Sequence, residues 1–355
     1  MQNYLKIILA FSIVIQIALL KLLVQFPQFV ESYYSNGLYK GISKLMHYTF
    51  GWIPFSMGDV IYTFAGIYSI RWLIIHRKRI VKDTKNWFYE ILTAISIGYF
   101  AFHVLWAFNY YRLPLHQSLE LENDYTTEQL VAFTKTLVEK TNEVHRQIAA
   151  NDSAKVEMPY SKTELLQMTP KGFDVLSKTY PHLAYHPKSL KRSLYSLPLT
   201  YMGFSGYLNP FTNEAQIDGM IPTFKYPTTA SHEIAHQLGY AAENEANFIG
   251  AMAAIAHNDI YFNYSGYAFA LNHCLNELFK RNPATYETVV ANLNIGVLKN
   301  YDEVRQFWLS YENPSEVFFK ETYSGFLKAN NQSAGMDSYS YVVALLVNYN
   351  EKHPL

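Results

Sequence analysis

The stretch Thr228-Thr-Ala-Ser-His232-Glu233-Ile-Ala-His236-Gln-Leu-Gly239 decides how this chain is read. Within it lies His-Glu-x-x-His. On an α-helix, residues four apart share a face, so both imidazoles can turn toward one ion. Glu233, one step beyond the first histidine, can then reach a water held there. Zinc lowers the pKa of such a water toward neutrality, and a nearby carboxylate takes its proton to make a nucleophile. Gly239 stands where that helix would stop.

Two histidines do not complete a zinc site, and the next segment offers two acids. Glu243-Asn-Glu245-Ala-Asn247-Phe248 opens a further helix after a short connection. Either Glu243 or Glu245 can supply a third ligand, leaving a fourth position for water. Both also suit a helix's first turn, where the dipole favours acids. A metzincin would need a third histidine where Ala242 stands. A thermolysin-like spacing would need a glutamate about twenty residues downstream, and none is there. Lys225, Tyr226 and Pro227 precede the motif and Glu243, Asn244 and Glu245 follow it, which places it outside any bilayer.

Working outward, Gly203, Gly206, Pro210 and Gly219 punctuate short apolar pieces between Lys191 and Pro222, the pattern of strands and tight turns. Ala215–Ile221 is expected to be an edge strand beside the metal, able to pair with an extended peptide. Helical spacing governs the rest of the C-terminal two thirds. Thr126 with Gln129 and Ser161 with Glu164 read as capping boxes. Further helices are expected at 269–280, 286–293, 301–311, 314–329 and 339–349. Tyr264, Tyr267 and His257 are candidates for stabilising an oxyanion, and Tyr267 is taken as the second catalytic residue.

The N-terminal third differs. Residues 5–26, 53–75 and 88–108 are apolar stretches near the roughly 20 residues that cross hydrocarbon. Phe26, Pro27, Gln28 and Phe29 follow the first where a signal peptidase would need small residues, so it is read as retained. Arg77, Lys78, Arg79, Lys82 and Lys85 crowd the loop between the second and third stretches. The positive-inside rule puts that loop in the cytoplasm and everything after Arg112 outside. His103, Asp59 and Arg71 are assigned no role.

Composition agrees. Charged residues are 16% of the chain and aromatics another 16%, with 30 tyrosines and 23 phenylalanines, as suits a protein meeting a bilayer interface. Basic and acidic residues balance at 29 each, which argues against a nucleic-acid partner. The single cysteine, Cys274, excludes an internal disulfide and a multi-cysteine zinc cluster.

His232-Glu-x-x-His236 followed by Glu243-x-Glu245-Ala-Asn resembles the E-x-E-A-N element of several glutamate-zincin metallopeptidases. In those families the glutamate before alanine is the third zinc ligand, which implies Glu245. More widely, the chain resembles an uncharacterised family of bacterial membrane proteins, a domain of unknown function with a zincin signature. Phe108-Asn-Tyr-Tyr-Arg112-x-Pro114-Leu, Pro210-Phe-Thr-x-Glu214-Ala, the metal motif and Tyr264-Ser-Gly-Tyr267 carry that resemblance. It implies an architecture and a metal site but no substrate.

The expectation is therefore a mainly α protein with a small β-sheet: a three-helix transmembrane anchor, residues 1–112, bearing a zincin-like α+β domain, residues 113–355. That domain lies on the outer, periplasmic side of the cytoplasmic membrane. It holds one zinc on His232, His236 and Glu245 and hydrolyses peptide or protein substrates with Glu233 as general base. The alternatives are a non-catalytic envelope protein stapled by zinc and a zinc amidase acting on cell-wall peptides.

Overall fold

The computed structural model describes residues 2–332, 335 and 341–354. It is mainly helical, with one three-stranded sheet. Both capping boxes form, opening helices at Thr127–Ile148 and Lys162–Met168. The later helices run Ile260–Arg281, Pro283–Val290, Ile295–Tyr311, Pro314–Ala329 and Val342–Lys352. Residues 339 and 340 of the last expected helix lie outside the described residues. Thr127–Ile148, Glu243–Ile255, Ile260–Arg281 and Val342–Lys352 enclose the main core, built on Leu130, Leu137, Ile249, Leu271, Leu278 and Leu346.

Among the described residues two helices, not the expected three, are long and apolar enough to cross a membrane: Tyr4–Leu23 and Thr84–Leu105. The middle stretch does form a helix, Met57–His76. Asp59, Thr63, Ser69, Arg71 and His76 dilute its apolar character, and its first turn is folded into the domain beside it. There the Asp59 carboxylate accepts from Ser193 Oγ at 2.9 Å, the Leu194 amide at 2.7 Å and the Tyr207 hydroxyl.

The two apolar helices pack side by side and run parallel. Lys6 meets Glu90 at 2.9 Å and Ser12 meets Ser96 at 2.8 Å, while Leu20 shares a cluster with Tyr99 and Phe102. Partner numbers rise together, which antiparallel helices cannot do. Met57–His76 returns the other way: Asp59 sits at the domain, and Trp72 stacks near Trp87 at the far end.

The sheet has the order β1 (Leu190–Arg192), β3 (Glu214–Ile217), β2 (Gly206–Asn209). β1 is parallel and β2 antiparallel to β3. Contrary to expectation, the Ala215–Ile217 segment is the middle strand and not an edge. All four β3 residues are fully buried. Glu214 is buried because it is satisfied: it pairs with Lys191 and accepts from the Met57 amide at 3.1 Å, the Gly58 amide at 2.5 Å and Thr212 Oγ at 2.9 Å. The free edge beside the central cleft belongs to β2.

Residues 27–50, between the first two apolar stretches, form Pro27–Phe29, a π-helical stretch Val30–Leu38 and a helix Tyr39–Phe50. They carry the chain back onto the domain. Val30, Tyr34 and Tyr39 build a second cluster with Trp106, Tyr110, Tyr111, Ala241 and Leu327. This cluster draws residues from both sides of the expected boundary at residue 112.

Candidate metal centre

The helix Tyr226–Gln237 carries both motif histidines. Pro227 suits its first turn, where a missing N–H costs nothing. It ends as glycine allows: Gly239 adopts φ +89°. The Gly239 amide donates to His236 O at 3.0 Å and the Tyr240 amide to Ala235 O at 3.1 Å, a Schellman closure. A side chain at Gly239 would meet Asn109 Oδ1 at 2.9 Å and the Tyr39 ring at 3.1 Å.

That closure orients the second histidine. His236 Nδ1 lies 2.7 Å from Tyr240 O, so it carries the proton there and turns Nε2 toward the cleft. His232 Nε2 and His236 Nε2 lie 3.3 and 3.8 Å from Glu243 Oε2. One ligand atom from each of His232, His236 and Glu243 falls within 4.8 Å of the others, a cluster able to hold a metal ion. Two imidazole nitrogens and one carboxylate oxygen suit zinc.

Glu245, the expected third ligand, points elsewhere. Glu243 and Glu245 are residues 1 and 3 of the helix Glu243–Ile255. Two steps at about 100° each put them on opposite faces, so only one can meet the histidines. Glu243 is in phase with Asn247 and Gly250, and a side chain at Gly250 would strike the His232 backbone nitrogen at 2.9 Å. That bare glycine lets the two helices close. Glu245 accepts from the Leu115 amide at 2.6 Å. Burial pushes it up to about 7, against the pull of that amide and of Arg112. It ties the start of the domain to the metal-bearing pair of helices.

The charged groups of the cluster shift one another. Burial alone would lower the His236 pKa, yet the Glu243 carboxylate raises it to about 9. Burial alone would raise Glu243, but the two histidines hold it well below its usual range. The remaining Glu243 oxygen accepts from the Tyr323 hydroxyl at 2.6 Å. Glu233 is buried, which raises its pKa against the pull of both histidines. Its Oε2 has no partner. A side chain at Gly206 would come within 2.8 Å of Glu233 Oε1, so β2 lies directly over the carboxylate.

The centre opens into a cavity of about 750 Å³. Its walls are rich in aromatic rings, and Tyr62 and Phe102 bring Met57–His76 and Thr84–Leu105 into the lining. Of the oxyanion candidates, Tyr267 packs against the main core and does not line this cavity. Tyr264 donates to Asn300 Oδ1 at 2.8 Å, and His257 sits 3.2 Å from Met168 O. None of the three lines the cavity. The cavity instead presents Tyr110, Asn247, His273, Tyr301 and Tyr323.

Sequence reasoning missed the supports behind the metal helix. Trp106 Nε1 donates to His236 O at 3.1 Å, and Tyr39 Oη donates to Gln237 O at 2.9 Å. Arg112 Nη1 donates to Gly239 O at 2.8 Å, and its guanidinium covers the Tyr240 ring at 4.1 Å. The same guanidinium pairs with Glu31 at 2.7 Å. The Phe108–Leu115 segment was conspicuous in the sequence, and its work is to clamp the end of the metal helix.

Fold and site together define a mainly helical protein with apolar helices and a largely buried His–His–Glu cluster in a cleft rich in aromatic rings. Residues 34–347 match a family model described as a protein of unknown function, DUF3810, and the chain belongs to that family. No curated protein and no solved structure shows significant similarity to the chain.

Proposed function

We propose that the chain is a zinc-dependent metallopeptidase of the cytoplasmic membrane, holding one zinc on His232, His236 and Glu243. One observation carries this reading. Glu233 lines the same cleft as the three-ligand cluster, and its Oε2 has no partner. A structural zinc site has no use for a free carboxylate beside it. Bound zinc would supply Lewis acidity and lower the pKa of water. Glu233 takes a proton from the attacking water and returns it to the leaving amine. The open edge of β2, with Gly206 against Glu233, offers main-chain groups to an extended peptide. A cell-wall amidase would use the same residues and differ only in substrate.

Full-length protein in nanodiscs should contain about one zinc per chain. His232→Ala and Glu243→Ala should lose most of it. Glu245→Ala should keep it, because Glu245 faces Leu115. Glu233→Gln should keep zinc and lose at least about two orders of magnitude of hydrolysis of a quenched peptide library. If Glu245→Ala loses metal while Glu243→Ala keeps it, the ligand set is wrong. If Glu233→Gln matches the parent, the peptidase reading falls.

We further infer three membrane crossings with the domain outside. Two parallel spans require the chain to return through the bilayer between them, and Met57–His76 is the helix that runs back. The far end of this bundle carries Lys6 and the 77–85 basic loop, and basic loops stay cytoplasmic. A reporter active only in the cytoplasm should be silent after Leu355 and active after Lys82. The reverse pattern would put the cleft in the cytoplasm.

A further inference from the structure

Once the metal cluster and Glu233 are set aside, Lys225 is the only formally charged side chain in the cavity lining among the described residues. It sits one turn ahead of Thr228 and two turns ahead of His232 on the same helical face. No carboxylate stabilises its charge: burial lowers its pKa and nothing opposes that. A cation held in an apolar cleft without a partner is costly unless something else pairs with it.

A second observation points to the same ligand chemistry. Asn247 is 5% exposed and lines the cavity, and its Nδ2 has no acceptor. His273 faces the cavity from Ile260–Arg281, one turn past Phe269. Burial, with Lys225 and His232 nearby, pushes it down to about 4. At neutral pH it is therefore an uncharged imidazole, able to donate a hydrogen bond. Lys225 and His273 lie near each other with no acid recorded against either, which suits an anion, and Asn247 is a further unfilled donor closer to Glu243. Seven residues of helix set Lys225 about 10 Å from His232 along the axis. An extended peptide covers that in about three residues.

We propose that Lys225, with His273 near it, forms a subsite for a substrate carboxylate within about three residues of the scissile bond. That carboxylate is either a free peptide C-terminus or an aspartate or glutamate side chain. The word peptide rests on the metallopeptidase reading; the anion subsite does not.

The test uses full-length protein in nanodiscs, stripped of metal by chelation so that no ion can take the carboxylate. The probes are N-acetyl-L-phenylalanine, suited to the aromatic walls, and its carboxamide, with binding read by saturation-transfer NMR. The acid should bind at least tenfold tighter than the amide. Lys225→Met should abolish that difference while leaving amide binding unchanged, and Lys225→Arg should preserve it. N-acetyl-L-glutamate α-amide, whose only carboxylate is on its side chain, separates the two sources. Lys225-dependent binding of the phenylalanine acid alone marks a C-terminus, and of the glutamate amide alone a side chain. Equal binding of acid and amide, or a preference that survives Lys225→Met, overturns the subsite whether or not peptides are cleaved. Acid binding without any peptide hydrolysis would keep the subsite and sink the peptidase reading.

Discussion

The two apolar helices and the metal helix solve opposite problems of burial. Tyr4–Leu23 and Thr84–Leu105 leave Ile8, Ile15, Leu19, Ile95, Ile97 and Phe100 exposed, surface that only another apolar medium covers cheaply. Tyr226–Gln237 hides polar groups instead: Glu233, His236 and Gln237 are all buried. Each buried polar group needs a partner, and several partners come from the first third of the chain. Gln237 O takes Tyr39, His236 O takes Trp106, and Gly239 O takes Arg112. The first third of the chain thus does more than supply apolar helices, because Tyr39, Trp106 and Arg112 finish the end of the motif helix.

The sharpest way to break that comparison is Arg112→Ala. The substitution leaves Glu31 without its buried cation and Gly239 O without its donor. Removing one partner of a buried pair costs about 3–5 kcal/mol. Full-length protein should lose thermal stability and zinc together, although Arg112 touches no ligand side chain. If the variant matches the parent in melting temperature and zinc content, the N-terminal third is only an anchor. An isolated 113–355 fragment would then be expected to bind zinc, which the clamp argues against.

How much of this was legible beforehand depended on whether the signal was local. His232, Glu233 and His236 lie within one helical turn and a half, so their spacing alone places them together. Choosing between Glu243 and Glu245 required the rotational phase of a second helix. The phase clue was Gly250, seven residues from Glu243, where a close approach to His232 demands no side chain. Ala215–Ile221 reads as an edge strand from its place just ahead of the motif, and position in the chain does not give strand order. Glu214 is buried because Lys191 and the first turn of Met57–His76 arrive from distant parts of the chain. The Val30–Leu38 turn gave no periodic signal, as a π-helix breaks the 3.6-residue pattern that sequence reading relies on. Lys225 was legible in one respect: it falls on the His232 face at two helical turns. That it has no acid partner could only be seen once the cleft was assembled.

A smaller effect separates the metal cluster from the tyrosines around it. Tyr323 donates to the Glu243 oxygen that does not face the histidines, while its ring stacks on Phe326 at 5.9 Å. Tyr323→Phe keeps the ring and deletes the hydrogen bond. The lost bond is to a charged group, worth about 1.5–3 kcal/mol when nothing replaces it. Tyr323 lines the open cleft, so water can take over part of that role, which puts the expected loss of zinc affinity near the lower limit, about tenfold. Competition with a chromogenic chelator on full-length protein measures it. Tyr267→Phe is the matched control: Tyr267 packs on the main core away from the cavity, so affinity and peptide hydrolysis should stay within about twofold, as for a substitution that breaks no named interaction. If Tyr267→Phe instead lowers hydrolysis strongly while Tyr323→Phe leaves zinc affinity untouched, the oxyanion role first read for Tyr267 returns and the orientation assigned to Glu243 fails.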